Sequence, residues 1–415
     1  MQILPDRGPW RNRWNALLCA VCAAGIVLSG WSLHGSWQKW QDRRGSRAAI
    51  EAGCDGLVDP AAVLGLNGGT DRVEPAWRGH RLELGRVPGT CGFDRVRETD
   101  GRTERSGHFS LTVHPLPQQG PPYLHEIGVD DAPFGERHFR TDEDATARVD
   151  HAGRTPLGDG RLGDHGRRSV TVTARCEAPA ATSPTSVLVT AAGAYEEEPT
   201  DADLRALARM ARGAAADAAR RLGCRAALPE LAARLTKPSL DLGRAEEGRG
   251  TCGWYASLLQ GGADRRRLPD RSAGAPTAVA SRGESCVLAM SPDGVRRSFP
   301  QLSRDERGDD DLGDVLMSRP WWIHTQSYFG DDAEATVIGA RGAQDDARPV
   351  ILRGAGRDGH VLYASAVCSG RPAVFTMDIA PGYDRALGGR TAELFKAYAA
   401  EAAARRGCTG LGLPQ

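Results

Sequence analysis

The chain has 415 residues, with 53 basic and 53 acidic side chains and a formal net charge of zero. That length holds two or three domains of ordinary size. With no basic excess there is no field to hold nucleic acid, so that class of function is set aside.

The first feature in chain order is an uncharged run, Ala16 to Leu33. As a helix it spans about 27 Å at 1.5 Å per residue, just enough to cross a hydrocarbon core. Trp10 and Trp14 stand at one end and Trp31, Trp37 and Trp40 at the other. Indole rings favour the headgroup layer. The expectation is a transmembrane signal-anchor helix over residues 14–37 after a short cytoplasmic tail, residues 1–13. A cleaved signal peptide is the alternative.

Beyond it lie Cys54, Cys91, Cys176, Cys224, Cys252, Cys286, Cys368 and Cys408. Their number is even and no two are spaced C-x-x-C, which sets aside zinc ribbons and thioredoxin-like sites. Widely spaced, even cysteines suit an oxidising compartment. The expected location is therefore the cell membrane, crossed once, with the C-terminal domains extracellular.

The chain also echoes itself. Leu82-Glu83-Leu84-Gly85-Arg86 precedes Gly89-Thr90-Cys91-Gly92-Phe93, and Leu240-Asp241-Leu242-Gly243-Arg244 precedes Gly250-Thr251-Cys252-Gly253-Trp254. Strand-like runs then end in Cys176 and Cys368, and Ala-rich helical stripes end at Cys224 and Cys408. Leu204, Leu207, Met210, Ala211, Ala214 and Ala218 fall on one helical face in the first, and Leu394, Phe395, Tyr398 and Ala402 in the second. The expected fold is α+β: after the membrane helix, two tandem copies of an antiparallel sheet packed against helices and stapled by disulfides. Residues 48–223 form the first extracellular domain and 224–415 the second. Each opens on a short leading helix, and RAALPELAARL follows Cys224 directly.

The echo narrows the cysteine pairing. Cys176 and Cys224 have twins in Cys368 and Cys408, which ties each strand to its closing helix. Cys54 is left for Cys91. Cys252 takes Cys286, the cysteine without a twin.

No H-E-x-x-H, G-x-S-x-G or P-loop occurs. The two G-x-G-x-x-G matches, at Gly158 and Gly354, lack the strand-loop-helix setting of a dinucleotide site and read as turns. No catalytic residue, metal ligand or cofactor is assigned. An aromatic, an aliphatic and a His followed by paired carboxylates occur twice, as Tyr123-Leu124-His125 with Asp130-Asp131 and as Trp322-Ile323-His324 with Asp331-Asp332. The sets fit either proton transfer and metal binding or a solvated strand-to-loop corner, and the corner is favoured. The longer middle of the second copy carries Arg319, Trp321, Trp322, His324, Tyr328 and Phe329. Aromatics beside an arginine make a candidate recognition surface, with burial in the core as the competing expectation.

Cys54 with Leu57, then Cys91 with Phe93, and in the second copy Cys224, Cys252 and Trp254, resemble the landmarks of actinobacterial membrane- or lipid-anchored envelope proteins of unknown function with Cys-paired α+β sensor-like domains. The resemblance implies a non-catalytic envelope role and supplies no ligand. The function expected is a binding or interaction protein of the bacterial envelope, held to the membrane by its N-terminal helix, with another envelope protein or a cell-wall component as partner. The competing expectations are an extracellular metal-dependent or hydrolytic enzyme using His125 or His324 with the Asp pairs, and a structural subunit of a secretion or envelope complex.

Overall fold

The computed structural model describes residues 9–76, 81–85, 88–99, 101–116, 125–127, 132–134, 143–151, 153–177, 184–338 and 349–414. The N-terminal half contains α1 (Pro9–Gly53), α2 (Pro60–Leu64), β1 (Val73–Pro75), β2 (Gly89–Thr99), β3 (Arg102–Leu116), β4 (His125–Ile127), β5 (Thr155–Pro156), β6 (Gly163–His165), β7 (Ser169–Arg175), β8 (Ser186–Gly193) and α3 (Asp201–Arg221). The C-terminal half contains β9 (Gly243–Arg244), α4 (Gly253–Gln260), β10 (Arg271–Gly274), β11 (Gly283–Ala289), α5 (Pro292–Ser298), α6 (Arg304–Arg307), α7 (Leu312–Met317), β12 (Trp322–Phe329), α8 (Asp331–Glu334), β13 (Thr336–Ile338), α9 (Val350–Arg353), β14 (Gly356–Asp358), β15 (Val361–Cys368), β16 (Arg371–Ile379), α10 (Pro381–Leu387), α11 (Arg390–Arg405) and β17 (Cys408–Thr409).

Alternating apolar side chains build two antiparallel sheets. Their strand orders are β1-β2-β3-β8-β7-β6-β5 and β9-β10-β11-β12-β16-β15-β14. Read from β2 and from β11, the central four strands run in the same order, hairpin against hairpin. In the first sheet Val170, Val172, Val187, Val189 and Leu111 point to one face and meet Leu204, Leu207, Ala211 and Ala214 of α3. Thr200 starts α3 with a capping box closed by Asp203. In the second sheet Ile323, Leu362, Phe375 and Met377 meet Leu394, Phe395 and Tyr398 of α11. Burying a side chain of this size contributes roughly 1.5–3 kcal/mol. The fold is thus α+β with one helix-covered face per sheet.

All four disulfides form: Cys54–Cys91, Cys176–Cys224, Cys252–Cys286 and Cys368–Cys408. Disulfides are the mark of an oxidising environment, extracellular or secreted. The strand orders give the pairing a different logic from the one the motifs suggested. Cys91 lies on β2 and Cys286 on β11, the corresponding strand, while Cys54 precedes β1 and Cys252 lies between β9 and β10. The twin of Cys91 is therefore Cys286, and every disulfide-bonded cysteine of one half has a counterpart in the other; Cys19 and Cys22 of α1 are free. The two Gly-Thr-Cys-Gly segments do not correspond, since one begins a strand and the other enters α4. Nor does RAALPELAARL form a leading helix. Pro229 interrupts it, and Leu228, Leu231 and Leu235 pack on the first core instead.

Among the described residues no helix is long and apolar enough to cross a membrane. This corrects the transmembrane signal-anchor helix expected over residues 14–37. The helix does not stop where a span should. It continues as one rod through Lys39, Asp42, Arg43, Arg44 and Arg47 to Gly53. The last turns of α1 belong to the first sheet: Ile50 is fully buried, Arg43 pairs with Asp71, and Ser46 Oγ accepts from the Val73 amide at 3.0 Å.

Two histidines of the first half are buried without charge. The β2–β3 ladder slips one residue between Phe93 and Asp94. The bulge turns His108 inward, where its Nε2 donates to the Val63 carbonyl at 2.8 Å. Gly107 beside it is obligatory, since a Cβ there would lie 2.3 Å from the Ala194 carbonyl oxygen. Burial holds the imidazoles of His108 and His165 below the ordinary histidine range. The unfolded chain then binds protons that the native state refuses. Stability is full above the unfolded value of 6.5 and falls as the pH drops below it, until the depressed native values are reached. We expect the melting temperature to decline between pH 7 and pH 5, and His108→Gln with His165→Gln to flatten that decline. A slope unchanged in the double variant would assign the acid sensitivity elsewhere.

Candidate functional site

The faces of the two sheets turned away from α3 and α11 look at each other across a cleft. β7 and β8 contribute Thr171, Leu188 and Thr190; β11 and β12 contribute Ser285, His324, Gln326 and Tyr328. The loops add His151, Gly153 and Arg154, and β4 adds His125. The cleft has a volume of about 400 Å³, within the range of small-molecule sites. A larger hollow of about 640 Å³ lies beside the edge strand β9. Its cations are engaged by acidic neighbours, Arg244 and Arg265 by Glu246 and Arg271 by Asp144. It touches no histidine, so the cleft is the better site.

Buried polar bonds close the cleft at one end. Arg282, 7% exposed, grips Asp332 with two nitrogens, Nε to Oδ2 at 3.0 Å and Nη2 to Oδ1. Its third nitrogen donates across the seam to Thr173 Oγ1 at 3.0 Å. Burial lowers the guanidinium to about 10, which leaves it charged at neutral pH. Asp331 accepts from Ser186 Oγ at 2.7 Å and pairs with Arg371. Burial pushes its carboxyl up, but the Ser186 bond and the flanking Arg371 and Arg282 outweigh it and hold the group below the usual range. β4 and β13 pair in parallel across the same seam. They carry His125 to a position 3.8 Å from Asp332 and against Tyr328, the two rings tilted by 33° with 4.4 Å between their centres.

Each formal charge lining the cleft has an opposite neighbour. Arg154 bonds Asp164, Arg282 bonds Asp332, and Glu284 lies between Arg405 and Arg406. The remaining polar groups are uncharged hydroxyls and an amide together with imidazoles. Thr171 and Thr190 share a 2.8 Å hydroxyl bond, and Ser285 Oγ shares a 3.0 Å hydrogen bond with His324 Nε2. Among the described residues no three His, Cys, Asp or Glu converge closely enough to hold a metal ion.

The structure divides the residues that the sequence singled out. His125 and His324 occupy unlike positions, a crossing strand and a central strand, yet meet at one cleft. Asp130 and Asp131 lie outside the described residues, and Asp331 and Asp332 are committed to arginines. Of the proposed recognition surface, Trp321 is core: 2% exposed, stacked on Tyr383 at 5.1 Å and near Phe299. Trp322 is buried as well, at 8% exposed. Arg319 is exposed and paired with Asp310, and Phe329 lies under Arg406. Only His324 and Tyr328 of that group reach the cleft. Arg282, Ser285 and Gln326 carried no sequence signal. Their importance comes from which face of a strand they occupy.

The buried pair yields a stability prediction. Removing one partner strands a charge, so Asp332→Asn should cost about 3–5 kcal/mol in denaturant unfolding. Replacing both, as Arg282→Met with Asp332→Leu, should cost far less. An equal loss in single and double variants would show that packing, and not charge, holds the seam.

No protein-family model matches the chain, and no curated protein or solved structure is similar to it.

Proposed function

We propose that the protein is an extracellular binding protein of the bacterial cell envelope, and that the cleft between its sheets takes an uncharged, hydroxyl-rich ligand such as a segment of cell-wall glycan. The carrying observation is that the charges lining the cleft are neutralised by their own neighbours. A charged ligand would have to break one of these pairs and strand its partner in a poorly solvated place. A polyhydroxylated ligand needs donors and acceptors without net charge, and the cleft offers threonine hydroxyls, imidazoles and the Gln326 amide. The packed rings of His125 and Tyr328 supply an apolar surface of the kind that a sugar ring covers. The two sheets meet through buried hydrogen bonds, Arg282 to Thr173 and Ser186 to Asp331, and a shared two-stranded ladder, so the cleft is preformed, which lowers the cost of binding.

The other two expectations find less support. A metal-dependent enzyme built on the Asp pairs would need carboxylates that are here committed to Arg282 and Arg371. A structural subunit would need a large exposed apolar face; among the described residues of the sheet-bearing body the exposed large apolar residues, Val279, Leu352 and Val367, are scattered, and the others lie along α1.

Calorimetric titration with an N-acetylglucosamine tetrasaccharide and with solubilised peptidoglycan fragments tests the reading. Saturable binding is expected, weakened at least tenfold by Thr190→Arg, which adds a cation without a partner. Absence of binding to either probe by the folded, disulfide-intact protein would reject the ligand class.

A further inference from the structure

We propose that Ser285 is a nucleophile activated by His324, and that the protein removes small acyl groups from hydroxyl-rich molecules held in the cleft. The inference deepens the binding reading and rests on it for the substrate class.

Three observations carry it. Ser285 Oγ lies at hydrogen-bond distance, 3.0 Å, from His324 Nε2, and both residues line the cleft. Nucleophile and base within hydrogen-bond reach are the core of serine acyl transfer. They sit on β11 and β12, neighbouring inner strands of the second sheet, where the ladder fixes their spacing.

Second, a carboxylate stands behind the base. Asp378 of β16 is directly opposite His324 in the ladder, and so on the same sheet face. It is 4% exposed, and its Oδ1 lies 3.4 Å from His360 Nε2 at the start of β15. Ser285 on β11, His324 on β12 and Asp378 on β16 thus follow one another on three adjacent strands, with His360 just before β15 beside the aspartate. The charge on Asp378 favours the imidazolium that His324 becomes on taking a proton.

Third, the row belongs to one sheet only. Aligning Cys91 with Cys286, Leu111 with Thr325, Ala191 with Met377 and Cys176 with Cys368 puts Thr90, Ser110, Ala192 and Arg168 at the corresponding places of the first sheet. The first sheet forms without a histidine or a carboxylate there, so the fold does not require them.

The chemistry closes with an ester and water. Ser285 Oγ attacks the ester carbonyl carbon while His324 Nε2 takes its proton. The tetrahedral intermediate collapses, the C–O bond to the sugar breaks, and the leaving alkoxide takes the proton back from His324. Water then attacks the acyl-Ser285 ester with His324 again as base, releasing a carboxylic acid and restoring the hydroxyl. Gln326, directly opposite Ser285, ends in a buried amide oxygen without a hydrogen-bond partner. Turned over, the same amide presents its N–H to the developing oxyanion.

The folded full chain is treated with a fluorophosphonate probe and mapped by peptide mass spectrometry, alongside hydrolysis of 4-nitrophenyl acetate. One label per chain on Ser285 is expected, at a rate that rises with pH through a single group in the histidine range. His324→Gln should slow labelling at least 100-fold at unchanged melting temperature. Asp378→Asn should slow it less and displace the pH midpoint, as a positioning residue would. The pH profile of the wild type needs no variant, so it tests the idea even where a substitution unfolds the protein. Absence of label on Ser285, or a labelling rate indifferent to pH and to His324→Gln, overturns the proposal. If the tetrasaccharide binds and Ser285 stays unlabelled, the acyl-transfer inference fails alone. If neither occurs, the binding reading falls with it.

Discussion

Arg282 holds the two halves in register. Its guanidinium is buried at the seam, satisfied by both oxygens of Asp332 on its own side and by Thr173 on the other. A buried cation is tolerated only with such complete bonding. It therefore fixes how α8 lies against β7, and that placement sets the neighbouring contacts: Asp331 on Ser186, β4 along β13, and His125 on Tyr328. Beside it the apolar contact between the two sheets is small, the cluster of Leu116, Leu188 and Ala335.

The same economy gives the cleft its character. Each sheet spends its apolar face on its closing helix, Val189 and Val172 on α3, Phe375 and Leu362 on α11. Strand geometry then sends the intervening side chains to the opposite face. Those are Thr171, Thr190, His324 and Gln326, so a polar cleft follows wherever two such faces approach. The N-terminal half also lends Phe134 and Val149 to the core of the C-terminal half. The halves therefore do not pack as independent spheres, and the cleft walls are braced from both sides.

Some of this was legible in the residues. The helical stripe from Leu204 to Ala218 and the alternation Val170, Val172, Ala174 announced a helix on a sheet, because period and burial are coupled in a single element. Matching short motifs was less reliable. Gly-Thr-Cys-Gly and Leu-x-Leu-Gly-Arg recur in a chain rich in Gly, Leu and Arg, and their copies stand at unlike places in the two halves. The cysteine pairs were nonetheless readable, since Cys176 with Cys224 and Cys368 with Cys408 join the same strand to the same helix. The uncharged run near the N-terminus suggested a span, but a run of residues does not say where a helix stops, and α1 continues to Gly53.

The sequence by itself determined the α+β class, the closing helices and the staples. Each of these follows from local periodicity or from a residue type with one stable fate in an oxidising compartment. The tertiary structure alone decided that Trp321 and Trp322 are buried, that His125 and His324 share a cleft, and that Ser285 touches His324. Those facts depend on strand register, where a shift of one residue sends a side chain to the other face of the sheet. Register is set by distant partners such as Asp332, Thr173 and Asp378, and no stretch of neighbouring residues records it.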